Sequence, residues 1–297
     1  MKKTLAMMTA AMMVAGALAG CGSSSSTPAA TTAAATEAAT TAAATDAATT
    51  EAAGDTAAAT EGTVKTPSGK FTVGFDQEFP PMGFVGDDGQ FTGFDLDLAK
   101  EVASRLGLEF VPQPINWDAK DMELDSGNID CIWNGFTMQG REDDYTWVGP
   151  YMANNQVFVV TADSDIASKA DLAGKAVEVQ KDSSGLAALQ GEAELSASFG
   201  SMTEVADYNT ALMDLESGAC DAVCMDSIVA GYQIKSSGKD MKILDDTLAA
   251  EEYGIGFKKG EDELAKAVYD TLMEMKDDGT VAKISNDWFG SDVFTLK

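Results

Sequence analysis

Among 297 residues there is no histidine; the reactive side chains are four cysteines and 48 carboxylates, set against 20 lysines and arginines. The commonest general base and the commonest metal ligand are therefore missing. No Cys or Ser sits in a readable triad, and no glycine-rich phosphate loop is present. Cys220 and Cys224 flank a strand-like run at 221–223. Four residues of strand span roughly 13 Å, too far for a disulfide. With no C-x-x-C pair there is no zinc set either. These two are expected to be buried free thiols, and with Cys131 they make an odd number that implies no full disulfide framework. No cofactor and no metal are expected. The remaining polar groups of interest stand where elements end. Asp226 follows a strand at 221–225. Asn134, Gly135 and Thr137 follow one at 129–133. Ser183 and Ser184 open a helix, where free N–H groups favour an anion. Phe79 and Trp117 offer flat, rigid faces. Trp133, inside its strand, reads as core.

The elements that must position these groups alternate along the chain. Phe71, Val73 and Phe75 share one strand face. A loop is expected across 76–89, with Pro80–Pro81 as breaker. In 93–107, Leu98, Val102 and Leu106 recur every four residues, Asp95 or Asp97 can cap the start, and Gly107 stops the helix. A strand at 109–111, a short helix at 118–126 closed by Gly127, and the strand at 129–133 follow. A second unit begins near 156, with strands at 157–160 and 176–179 and a helix opened by Ser183. A helix at 208–217 closed by Gly218, the strand at 221–225 and a helix at 226–234 come next. The chain finishes with a strand at 254–257 and helices at 261–275 and 280–288. This rhythm predicts an α/β fold with a parallel core sheet.

The formal charge of −28 repels nucleic acid and anionic lipid headgroups, so no nucleic-acid partner is expected. Residues 1–20 read as an export signal: Lys2 and Lys3, then a short apolar run at 5–18. Leu18-Ala19-Gly20-Cys21 resembles the bacterial lipobox, which implies a lipid on Cys21. Residues 21–66 are Ser, Thr and Ala with scattered acids, too polar to bury a core. As a flexible tether of about 45 residues they would separate their ends by roughly 35–40 Å. The expected location is the extracytoplasmic face of the cell membrane, lipid-anchored. No other stretch is apolar and long enough to span a membrane.

The run Gly93-Phe94-Asp95-Leu96-Asp97-Leu98, with its spaced apolar face to Leu106, resembles the signature of the polar amino-acid (family 3) solute-binding proteins of ABC transporters. Phe79-Pro80-Pro81, the stretch 124–130, Arg141 leading to Gly149-Pro150-Tyr151, and 273–290 fit the same family, so the resemblance covers nearly all of 71–290. It implies a two-lobed, type II periplasmic-binding-protein-like fold. Lobe 1 would be 67–153 plus 255–297 and lobe 2 would be 156–250. The strands crossing near 153–156 and 251–253 would form the hinge. The partners it implies are an amino acid, an ABC permease and its ATPase, with the chain acting as a monomer. Arg141 would hold the ligand's carboxylate with its planar fork, joined by Ser183 and Ser184. Asp226 would hold the ammonium; Asn134, Gly135 and Thr137 would add acceptors. Asp76, Phe79 and Trp117 would form the side-chain pocket, with Glu78 nearby. The acids argue against glutamate or aspartate and leave arginine, lysine, histidine, glutamine and cystine. The rivals are a lipoprotein that presents an amino acid to a receptor, a sensory ectodomain, for which the chain would be expected to run on past Lys297, and a dehydratase-like enzyme on the same scaffold.

Overall fold

The computed structural model describes Thr66 and residues 68–297. The expected signal segment, the Cys21 lipid site and nearly all of the tether lie outside the described residues. Strand β1 (Lys70–Phe75) buries Phe71, Val73 and Phe75 completely. Where a loop is expected, a small antiparallel sheet forms from β2 (Glu78–Phe79), β3 (Gly83–Val85) and β4 (Phe91–Thr92). Strands of two or three residues are too short for a period to register.

Helix α1 (Phe94–Leu106) follows its four-residue apolar period, burying Leu98 and Val102. Its start differs from the expected cap. Gly93 holds the cap position and no side chain caps it. The missing Cβ of Gly93 would stand 2.2 Å from the Met82 carbonyl oxygen, so the chain passes too close for any side chain. Asp95 is instead buried, and Asp97 accepts the Trp288 indole N–H at 2.8 Å. Gly107 closes the helix in the left-handed conformation, φ 70°.

The rest of the first half comprises β5 (Glu109–Pro114), a 3-10 turn (Trp117–Ala119), α2 (Lys120–Ser126) and β6 (Cys131–Thr137). Next come β7 (Tyr145–Thr161), β8 (Ala176–Gln180), α3 (Ser184–Gly191), α4 (Ala193–Ser198) and β9 (Ser201–Val205). Then follow α5 (Tyr208–Ser217), β10 (Ala222–Asp226), α6 (Ser227–Ser237) and β11 (Met241–Ile243). β12 (Ala249–Lys258), α7 (Asp262–Asp277) and α8 (Thr280–Phe289) complete the chain. The last two helices return to α1, where the Phe289 and Phe94 rings meet edge-on at 5.1 Å.

The main sheet runs β5-β1-β6-β12-β7-β10-β8-β9, with β11 also on β7. It is mixed, not parallel throughout. β1 is parallel to β5 and β6, and β8 is parallel to β9 and β10. Between these groups β7 and β12 form an antiparallel ladder. β7 spans 17 residues, against the four expected at 157–160. Gly149, Pro150 and the polar run Asn154-Asn155-Gln156 break the apolar pattern that would have revealed it. Its first part pairs with β12 and its last part with β10 and β11, so β7 serves both halves. β6 is buried on both faces, with Cys131 and Trp133 in the main core and Ile132 and Phe136 in another cluster. Cys131, Cys220 and Cys224 are buried free thiols, as the spacing of the last two predicts. Among the described residues, no helix is long and apolar enough to cross a membrane.

Candidate ligand-binding site

Four strand ends converge. Asp76 follows β1, Asn134 to Thr137 end β6, Gln180 ends β8 and Asp226 ends β10. Open α/β sheets place their sites at such carboxyl ends. A small cavity there is lined by Phe79, Trp117, Gly135, Thr137, Arg141, Gln180, Ser183, Ser184 and Asp226. Eight of the ten residues singled out in the sequence therefore share one cavity. Its free space is about 10 Å³, on the order of one water, so a larger ligand requires its walls to part.

The two remaining residues are wired to the cavity from behind. Asp76 accepts from Gln180 Nε2 at 2.7 Å and from its neighbour Glu78 N–H at 2.9 Å. Burial pushes its carboxyl up to about 6, against the pull of those two donors. The Asn134 side chain does not line the cavity. Its Oδ1 accepts the Asp76 N–H at 3.0 Å and so fixes the turn after β1. Gly135 has φ 56°, and a Cβ there would stand 2.9 Å from the Phe79 ring; both facts require glycine. Its N–H donates to Asp95 Oδ2 at 2.7 Å, and Tyr151 O–H donates to the same oxygen at 2.8 Å.

Arg141, in the turn between β6 and β7, donates to the Thr137 and Asp182 carbonyls at 3.2 and 3.3 Å. Its guanidinium lies 5.2 Å from the centre of the Phe136 ring. Ser183 caps α3, its Oγ accepting the Leu186 N–H at 3.1 Å. Ser184 Oγ accepts from Thr137 Oγ1 at 3.2 Å, a bond between the β6 and β8 halves. Phe79 packs against Tyr208 with ring centres 5.8 Å apart. Trp117 meets Phe136 edge-on at 5.5 Å, with Lys120 Nζ 5.4 Å from its ring centre.

Asp226 stands at the cap position of α6, yet its side chain caps nothing. It turns inward and accepts from Asn154 Nδ2 and Tyr253 O–H at 2.7 Å each, and from Tyr208 O–H at 3.1 Å. Burial and the neighbouring Glu251 carboxylate push its pKa well above the ordinary carboxylate range.

Sequence reasoning missed Gln180, Glu251 and Lys120. Gln180 ends a strand as Asp226 does, and the same rule would have found it. Glu251 lies on β12, whose polar start gives no strand period. Lys120 carries no motif that marks it, yet it is buried and paired with Asp182.

With this geometry in view, known proteins offer a comparison. The family described as bacterial extracellular solute-binding proteins, family 3, matches residues 71–291. The L-cystine-binding protein TcyJ of Escherichia coli strain K12 is 32% identical over 76% of this chain and 84% of its own. An ABC uptake transporter substrate-binding protein of Streptococcus pneumoniae, solved with histidine, superposes with a TM-score of 0.74. It is 34% identical over 77% of this chain and 96% of its own. An ancestral arginine-binding protein bound to arginine gives 0.70 and 36% identity over 75% and 99%.

Proposed function

The chain belongs to the bacterial extracellular solute-binding proteins of family 3, and from that premise we propose that it captures a polar amino acid for an ABC importer. The observation that carries the reading is one cavity walled by a guanidinium from the β6–β7 turn and a carboxylate from β10. An amino acid carries the two complementary charges. In this reading Arg141, with Ser184 and the start of α3, takes the carboxylate. Asp226 takes the ammonium. Phe79 and Trp117 flank the side chain, and Asp76, with Gln180, reads its end. A carboxylate at that end favours a basic, amide or cystine ligand over an acidic one. Relatives that bind cystine, histidine and arginine agree with that class.

The lobes are then 67–153 with 255–297, and 156–250, hinged on β7 and β12. The protein works as a monomer beside a permease and its ATPase, held at the outer membrane face by a lipid on Cys21. It binds its ligand unchanged. A melting series of the purified chain against the common amino acids and cystine tests this. A ligand at a hundredfold excess over its dissociation constant stabilises by about 2.7 kcal/mol. If no amino acid in the series raises the melting temperature, the reading fails.

A further inference from the structure

Asp226 has a second buried carboxylate beside it. Glu251, on β12, is 6% exposed against 3% for Asp226. One amide nitrogen, Asn154 Nδ2, donates to both, at 2.7 Å to Asp226 Oδ1 and 2.7 Å to Glu251 Oε1. The two oxygens are therefore no more than about 5.4 Å apart, twice a hydrogen-bond length. Gln156 Nε2 donates to the same Glu251 oxygen at 3.0 Å, and Ser184 Oγ at 3.4 Å.

No charge compensates the pair. Among the described residues, neither carboxylate has a lysine or arginine at ion-pair distance. β7 presents only the amides of Asn154 and Gln156, α3 only Ser184, and α6 only Ser227, which bonds Asn154. The titratable neighbours are Tyr208 on α5, Tyr253 on β12 and Cys224 on β10. Burial and the two carboxylates push all three further up, so they stay neutral. Arg141, on the same cavity wall, makes no ion pair with either carboxylate and directs two of its donors to the Thr137 and Asp182 carbonyls. Two desolvated like charges this close do not both ionise without a cation. The geometry agrees with the upward shift of Asp226 already described.

We propose that Glu251 makes Asp226 a proton-exchanging group, so that amino-acid binding releases a proton. Before ligand arrives, Asp226 carries the proton. When the ligand's ammonium enters, the Asp226 O–H bond breaks and the proton leaves to solvent. The ammonium N–H then donates to the carboxylate, and charge balances. The inference rests on the reading that Asp226 meets the ammonium. Below the titration of Asp226 the release approaches one proton per ligand, and the dissociation constant falls up to tenfold per pH unit of rise. Above it, both effects vanish.

The test is calorimetric titration of the full chain with L-glutamine, L-arginine, L-lysine, L-histidine and L-cystine, in buffers of different ionisation enthalpy. Asp76 also titrates near the side-chain end, so the informative quantity is the difference between wild type and Glu251→Gln. The expected result is proton release in wild type that drops by more than half in Glu251→Gln, with a flatter pH profile of affinity. Glu251→Asp keeps the charge and should keep the release, and each variant must retain a cooperative melt. Binding with buffer-independent enthalpy overturns proton exchange and leaves amino-acid capture standing. Equal release from wild type and Glu251→Gln overturns the role of Glu251. Should none of the five amino acids bind, both the capture reading and this inference fall.

Discussion

Each polar residue around the cavity is held by partners that also define what it can do. Arg141 has its guanidinium anchored on two carbonyls and stacked near Phe136, which aims a planar fork without neutralising it. Removing a desolvated charge from its partner typically costs 2–5 kcal/mol, roughly 30- to several-thousand-fold in affinity. Arg141→Ala and Asp226→Ala are each expected to lose that much for every amino acid, read by calorimetry. Arg141→Ala binding within threefold of wild type would rule out the carboxylate role. Asp76→Asn should act differently, because it meets only the variable side chain: ligands are re-ranked, and cationic ones lose most. Gln180→Leu removes the amide that occupies Asp76 Oδ2 and should re-rank the same series. A uniform loss across all ligands would sink that assignment. Strand ends announced Asp226 and the residues after β6. No local pattern marks Asn134 as serving the backbone of Asp76, because that bond joins residues 58 apart.

At the scale of elements, Asp95 is the tie between α1 and β6. Its carboxylate holds the Gly135 N–H and the Tyr151 hydroxyl in a fully buried place. Burial raises its pKa to about 7. The unfolded chain gives up this proton near 3.8, so between the two values the folded state binds more protons. Stability is therefore present in full below the unfolded value and falls as pH rises toward 7, by up to about 4 kcal/mol. Asp95→Asn keeps an acceptor and cannot ionise. Melts at several pH values should show a shallower decline in this variant than in wild type. Parallel declines would refute the assignment. The expected cap role for Asp95 failed for a local reason: Gly93 already occupies the cap, and the first turn of α1 is pressed against Met82.

Across the whole molecule, the two halves meet through polar pairs that no single half contains. Buried Lys120 pairs with Asp182, and Lys181 Nζ stands 2.6 Å from Asp118 Oδ2 in the opposite sense. Thr137 meets Ser184, Asp76 meets Gln180, and Glu78 meets Asn209. In the two-lobed reading proposed above, β7 and β12 are the hinge and these contacts are the surface that parts. Ligand binding both sides should favour the closed form. Small-angle scattering is expected to show a smaller radius of gyration with saturating ligand than without. Lys120→Met, which removes one crossing pair, should make the ligand-free protein more extended. Curves that coincide with and without bound ligand would count against closure.

The sequence by itself determined what depends on neighbours along the chain. Helix α5 runs 208–217 as its apolar pattern and Gly218 dictate, and α1 and α2 likewise end at left-handed glycines. The free thiols and the strand-end positions of most cavity residues were equally local. The tertiary structure alone decided what depends on register across the sheet. β7 is one strand because β12 and β10 supply its backbone partners, not because its own residues alternate. Glu251 meets Asp226 because Asn154, on a third strand, bonds both. No pattern within a window of sequence encodes that meeting. It follows from ladder pairing between residues far apart in the chain, and burial then turns an ordinary pair of acids into one that needs a cation.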